Sequence, residues 1–162
     1  MQKIRVGWFS FSCCEDSTIV FTEMLNEHYK DWFKIMHFAS ARILQKKEDI
    51  TNLDIAFVEG AIASEKDALK LKKIRENSKK LVAIGSCAVT GMPSAQRNEF
   101  DEERKKEIQF LVDRFRLAPS VVPLEKIVVV DYKVTGCPMA EDAFLKVLEQ
   151  VMKDLGVGNA GT

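Results

Sequence analysis

The chain has 162 residues, 46% of them hydrophobic and 30% charged, and its 24 basic side chains are balanced by 24 acidic ones. That length carries a full-sized core in one domain, and the cancelled charge excludes a global field for nucleic acid or an anionic membrane. No apolar run reaches the ~18–20 residues of a membrane span, and the N-terminus enters a strand-like stretch without an apolar leader. The expectation is therefore a cytoplasmic protein without membrane insertion, whose thiols are kept reduced.

Taken in chain order, the pattern alternates strand and helix. Lys3–Phe9 reads as a first strand, and Ser17 or Thr18 caps a helix with Ile19, Val20, Met24 and Leu25 on its apolar side. Trp32–Phe38 predicts a second strand, followed by a short helical piece over Ala41–Lys47. Asp54–Glu59 is an apolar run of the buried parallel-strand type, and Ser64–Asn77 a helix with Ala68, Leu71 and Ile74 in step. Lys70, Lys72, Lys73, Lys79 and Lys80 alternate with acids and read as solvated faces. Lys80–Ile84 is the next buried strand, and Ile108, Leu111, Val112 and Phe115 mark a helix over Glu102–Arg116. Lys126–Asp131 reads as a fifth strand, and Phe144, Val147, Leu148, Val151 and Leu155 define a last helix. Residues 1–155 form the single domain; the Gly-rich tail, 156–162, frays. The fold class is α/β: a doubly wound, mainly parallel sheet of about five strands.

In such sheets ligands bind beyond the carboxyl ends of the strands, and the chemistry of this chain collects there. Cys13 and Cys14 follow strand one, Glu59 ends strand three, Cys87 follows strand four and Cys137 follows strand five. The chain has four cysteines in all, the number that closes a 4Fe–4S cluster with one thiolate per iron. Their spacing is too wide for a single-loop ferredoxin or a zinc finger built of close pairs, so folding must assemble any such site. Small neighbours suit it. Gly85 and Ser86 let backbone approach inorganic sulfide, Gly136 permits a tight turn, and Pro138 stiffens the loop after Cys137. The adjacent pair requires a sharp backbone bend, since neighbouring side chains of an extended segment point apart; otherwise one of the two packs in the core.

The motifs Cys13-Cys14, Gly-Ser-Cys87-Ala-Val-Thr-Gly, Gly-Cys137-Pro and Val58-Glu59-Gly-Ala-Ile resemble the small subunit of nickel–iron hydrogenases and its relative, the cluster-bearing subunit of respiratory complex I. The resemblance runs from about Lys3 to Leu155. It implies a flavodoxin-like domain holding one proximal 4Fe–4S cluster on Cys13, Cys14, Cys87 and Cys137, against a nickel–iron large subunit. Further iron–sulfur or flavin subunits would carry electrons onward. Glu59 would sit near the cluster and Glu15 would face the interface. The chain itself would hold no catalytic centre, being the non-catalytic iron–sulfur subunit of an oxidoreductase. The adjacent cysteines are like those of the complex I subunit, so a quinone-linked role stands as an alternative, and a non-redox adaptor on the same scaffold as another.

Other candidates read more plainly. His28 and His37 lack partners at ligand spacing and are structural or solvent-facing, while Trp8 and Phe9 belong to the core. Glu59 either caps backbone N–H groups or takes up a proton coupled to charge movement. The polar stretch Met92–Phe100 is expected at the partner interface.

Overall fold

The computed structural model describes residues 3–44 and 49–157. Its frame is a parallel sheet of five strands: β1 (Ile4–Ser10), β2 (Met36–Ala41), β3 (Leu53–Glu59), β5 (Ser78–Ile84) and β7 (Tyr132–Val134). They lie in the order β2-β1-β3-β5-β7, the flavodoxin-like arrangement, with a switch point between β1 and β3. A separate antiparallel ribbon joins β4 (Ile62–Ser64) to β6 (Leu117–Val122), an element that short, non-alternating runs do not announce. The helices are α1 (Asp16–Ile35), α2 (Glu65–Glu76), α3 (Gly85–Thr90), α4 (Glu102–Arg114) and α5 (Glu141–Asp154). Among the described residues, no helix is long and apolar enough to cross a membrane.

The sheet's residues are β-branched and aromatic on both faces because both are covered. One face meets α1 and α5 through Trp8, Phe21, Trp32, Phe57 and Phe144, with Trp8 stacked on Phe21 at 4.2 Å between centroids. The other face meets α2 through Leu53, Val58, Leu71, Ile74 and Leu81. Trp8 and Phe9 are core, as expected. His37 is exposed, and His28 stacks on Trp32 at 5.1 Å.

Three expectations are corrected. Trp32 belongs to α1, not to a strand: its helical spacing from Phe21, Leu25 and His28 outweighs the β-propensity of Trp-Phe, and the strand begins at Met36. Neither Ser17 nor Thr18 caps α1. The helix starts at Asp16, two residues earlier than a Ser17 cap would give, after Glu15 in a left-handed conformation (φ 63°), without a cap from that residue's own side chain. The fifth strand is Tyr132–Val134 rather than Lys126–Asp131. Leu124–Lys126 form a 3₁₀ turn, Val128 and Val130 pack beneath the sheet's edge, and pairing begins where the Asp131 N–H reaches the Leu81 carbonyl at 2.9 Å. The helix expected over Glu102–Arg116 is present as α4, yet its apolar stripe buries no residue: Leu111 is 38% exposed, and Phe115, just past its end, 63%. Of the predicted piece Ala41–Lys47, Ala41 ends β2 and Arg42–Leu44 form a 3₁₀ turn, while 45–47 lie outside the described residues. Gly156 and Val157 stay bonded to the end of α5 through Lys153 and Met152, and 158–162 lie outside the described residues.

Candidate metal centre

Strand register sets up the site. Ser10 pairs with Glu59, Glu59 with Ile84, and Ile84 with Val134, so four strands end in one row at the carboxyl edge. Three loops leave that row, and each carries cysteine. All four cysteines line one narrow recess, together with Glu59, Gly85 and Gly136.

The loop after β1 is tied down by backbone bonds across the switch point. Phe11 N–H donates to the Glu59 carbonyl at 2.8 Å, and Ser12 and Ala61 exchange two bonds at 3.1 and 2.9 Å. The chain bends at Cys13 and turns left-handed at Glu15, which brings both members of the adjacent pair onto the recess. Cys13 is half-buried and Cys14 exposed. Burial, with the Glu59 carboxylate nearby, pushes the Cys13 thiol up to about 12. Cys13 is therefore protonated at neutral pH and releases a proton on taking a metal.

Cys87 lies in the first turn of α3, directly beyond β5, and is buried at 6% exposure. It joins Ala61, Ala63, Ala95 and Val121 in a small satellite core. Cys137 and Cys14 are the exposed pair, so the recess has a dry inner wall and an open rim.

Two glycines let the loops around the recess pack closely. At Gly85 (φ 79°) a Cβ would stand 2.9 Å from Ser17 Oγ. At Gly136 (φ 122°) it would stand 2.4 Å from the Pro138 carbonyl oxygen. Ser86 N–H donates to the Gly136 carbonyl at 2.7 Å, binding the Cys87 and Cys137 loops together. Ser17 completes the junction, its Oγ accepting the Met139 N–H at 3.2 Å.

Glu59 is buried at 3% exposure. Its Oε1 accepts the Ser17 N–H at 3.1 Å and its Oε2 the Thr18 hydroxyl at 2.6 Å, with Trp8 Nε1–H donating to Thr18 Oγ1 at 2.9 Å. The carboxylate of β3 thus caps α1 from across the switch point, in the role expected of Ser17 or Thr18. Burial raises its pKa, against the lowering effect of the Thr18 and Ser17 donors. Glu15 is exposed and lines a neighbouring groove with Arg42 and Ile43.

Among the described residues, no three Cys, His, Asp or Glu side chains converge closely enough to hold a single metal ion. A cubane suits this wider spread, because each thiolate takes a different iron. Four thiols on one recess, with Cys87 buried on its inner side, fit such a group. Sequence reasoning missed Ser17 and Ser94 as parts of this junction. Ser94 Oγ stands 3.2 Å from Cys87 Sγ and 2.7 Å from the Ser12 carbonyl, and a lone serine in a polar stretch carries no signal of that.

An open parallel sheet with cysteine-bearing loops along its carboxyl edge defines a flavodoxin-like domain. The family model described as NADH ubiquinone oxidoreductase, 20 Kd subunit, matches residues 13–151. The chain belongs to that family. The delta subunit of the NAD-reducing hydrogenase HoxS of Cupriavidus necator is 28% identical, over 93% of this chain and 79% of that protein. A subunit of the F420-non-reducing hydrogenase of Methanothermobacter marburgensis is 24% identical, over 94% of this chain. This chain spans about half of that relative's length, 54%. Among solved structures, a chain of the NAD+-reducing [NiFe]-hydrogenase in the H2-reduced state superposes with a TM-score of 0.78 at 25% identity, covering 94% of this chain and 93% of that one. A chain of the [NiFeSe] hydrogenase of Desulfovibrio vulgaris Hildenborough shares the fold, with a TM-score of 0.68 at 16% identity, over 99% of this chain and 64% of that one.

Proposed function

We propose that this chain is the electron-transfer subunit of a cytoplasmic, multisubunit nickel–iron hydrogenase, with one 4Fe–4S cluster held by Cys13, Cys14, Cys87 and Cys137. The observation that carries this reading is that the four thiols, from three distant loops, line one recess, in a family whose relatives include hydrogenase subunits. When bound, such a cluster accepts and releases one electron at a time.

The chain's own residues hold and shield. Cys87 and Cys13 form the drier inner wall, which excludes water, while Cys14 and Cys137 sit on the open rim. That rim is the side for a nickel–iron large subunit, and Glu15 stands exposed beside it. Further iron–sulfur or flavin subunits would carry the electrons onward. Residues 1–155 serve as the cluster domain, with 156–162 as its tail. Glu59 fixes the start of α1, and with it the loop of the adjacent pair, through Ser17 and Thr18.

Anaerobic purification of the assembled complex tests this. About four irons per chain are expected, with a brown chromophore bleached by hydrogen gas and a nickel-containing partner in the same preparation. Cys87→Ser should bring the iron to background. Iron-free wild-type protein removes the cluster reading. Iron that answers to a quinol but not to hydrogen replaces the hydrogenase reading with the complex I-like one, which the adjacent cysteines and the family model favour.

A further inference from the structure

Resting on the reading of the recess as a cluster site, the geometry points to a residue outside the four thiols: Ser94 donates its hydroxyl hydrogen bond to the Cys87 sulfur and so raises the reduction potential of the group bound there. Ser94 Oγ carries one proton and faces two acceptors, the Ser12 carbonyl at 2.7 Å and Cys87 Sγ at 3.2 Å. The carbonyl is already served, for it accepts the Ala61 N–H at 2.9 Å. Once Cys87 ligates as a thiolate it carries charge, and a charged acceptor draws a donor more strongly than a neutral carbonyl does. Its setting of Ala61, Ala63, Ala95 and Val121 is nearly dry, so the bond is poorly screened.

The hydroxyl is held in place by turns that start from the Cys87 helix itself. Gly91 N–H donates to the Cys87 carbonyl at 3.0 Å, Ala95 N–H to the Gly91 carbonyl at 2.8 Å, and Gln96 N–H to the Pro93 carbonyl at 3.1 Å. Ala95, next to Ser94, is buried against the same small core. The donor therefore moves with its acceptor. Reduction adds negative charge that spreads onto the cysteine sulfur, and a donor fixed there stabilises the reduced state more than the oxidised one. No covalent bond forms or breaks, the proton stays on Ser94, and the electron comes from an external reductant. Ser94 is thus a positioning residue that sets a potential.

The test is a dithionite titration of the anaerobically purified complex, followed by electron paramagnetic resonance, with iron counted on the same samples. Ser94→Ala should keep its iron and show a lower midpoint potential, while Ser94→Thr, which keeps the hydroxyl, stays near the wild type. An unchanged potential in iron-replete Ser94→Ala overturns the inference. If the alanine variant fails to load, Ser94→Val is set against Ser94→Thr, two side chains of one shape differing by the hydroxyl. A lower potential in the valine variant supports the inference; equal potentials, or a valine variant that also fails to load while threonine loads at an unchanged spectrum in D2O, overturn it. Iron missing from the wild type itself defeats the cluster reading instead, so the two failures are distinct.

Discussion

The two ends of the parallel sheet treat charge in opposite ways. At the amino end, carboxylates face cations near water. Asp49 meets Arg5 at 2.7 Å, Asp54 meets Lys79 at 2.7 Å and Asp131 meets Arg75 at 3.4 Å. Asp54 and Asp131 also accept the N–H groups of Arg5 and Leu81, closing the strand starts. At the carboxyl end, Glu59 is buried against uncharged donors, among thiols and left-handed glycines. Paired surface charges contribute little to stability, whereas a buried carboxylate against neutral donors is a standing electrostatic expense. The difference teaches where the molecule holds strain: the amino end is finished structure, and the carboxyl end carries the left-handed glycines and the buried carboxylate.

The comparison breaks most sharply at Gly136. Ala at this position meets the Pro138 carbonyl oxygen at a φ that side chains rarely adopt. Gly136→Ala should destabilise the protein by at least about 2 kcal/mol, lowering the melting midpoint by roughly 4–8 °C, and should cut iron retention in the same preparation. A variant with wild-type melting and full iron would show the carboxyl edge to be as tolerant as an ordinary loop.

Glu59→Gln sharpens the contrast with a smaller effect. The folded protein holds the Glu59 proton more tightly than the unfolded chain does, because burial raises its pKa. Between the unfolded value near 4.5 and the higher folded one, the native state binds more protons, so stability falls as pH rises through that window. The penalty is absent in acid and stays complete above the folded pKa. Urea titrations of both proteins across this range should show wild type losing ground to Glu59→Gln as pH increases. Parallel curves would mean that Glu59 titrates alike in the folded and unfolded states, and that its burial shifts nothing.

Much of this architecture was legible because buried strands are written as short apolar runs. Asp54–Glu59 and Lys80–Ile84 lie within β3 and β5, and their carboxyl ends located the cysteine edge. The errors have physical sources. Trp32 was misplaced because β-propensity and helical spacing gave opposite answers over one stretch, and tertiary burial against Phe21 decided for the helix. The fifth strand was misplaced because Ile127–Val130 is apolar for packing under an edge, which leaves the same imprint as pairing. In α5 the stripe of Phe144, Leu148 and Val151 is buried by the sheet, whereas the stripe of α4 is not. Periodicity reports a face that avoids water and says nothing of what covers it. Glu59 as a cap, and Ser17 and Ser94 as ties between loops, depend on contacts across 42, 122 and 82 positions of chain. No local pattern encodes those.

The amino edge supplies the smallest effect, and it carries the opposite sign. Asp49 is held down to about 2 by the Thr51 hydroxyl and N–H, and then by the Arg5 guanidinium. Its folded pKa lies below the unfolded value of 3.8, so whatever it contributes is present above that value and disappears as pH falls through both. Water and salt screen an exposed pair of this kind. Asp49→Asn should therefore melt within the scatter of repeat wild-type scans at neutral pH. Below pH 4 the wild type alone should lose its small advantage, a trend removed by added salt. A large loss at neutral pH would mean that the amino edge is not finished structure, and that Arg5, whose backbone also anchors Asp54, needs this carboxylate to keep β1 in register with β3.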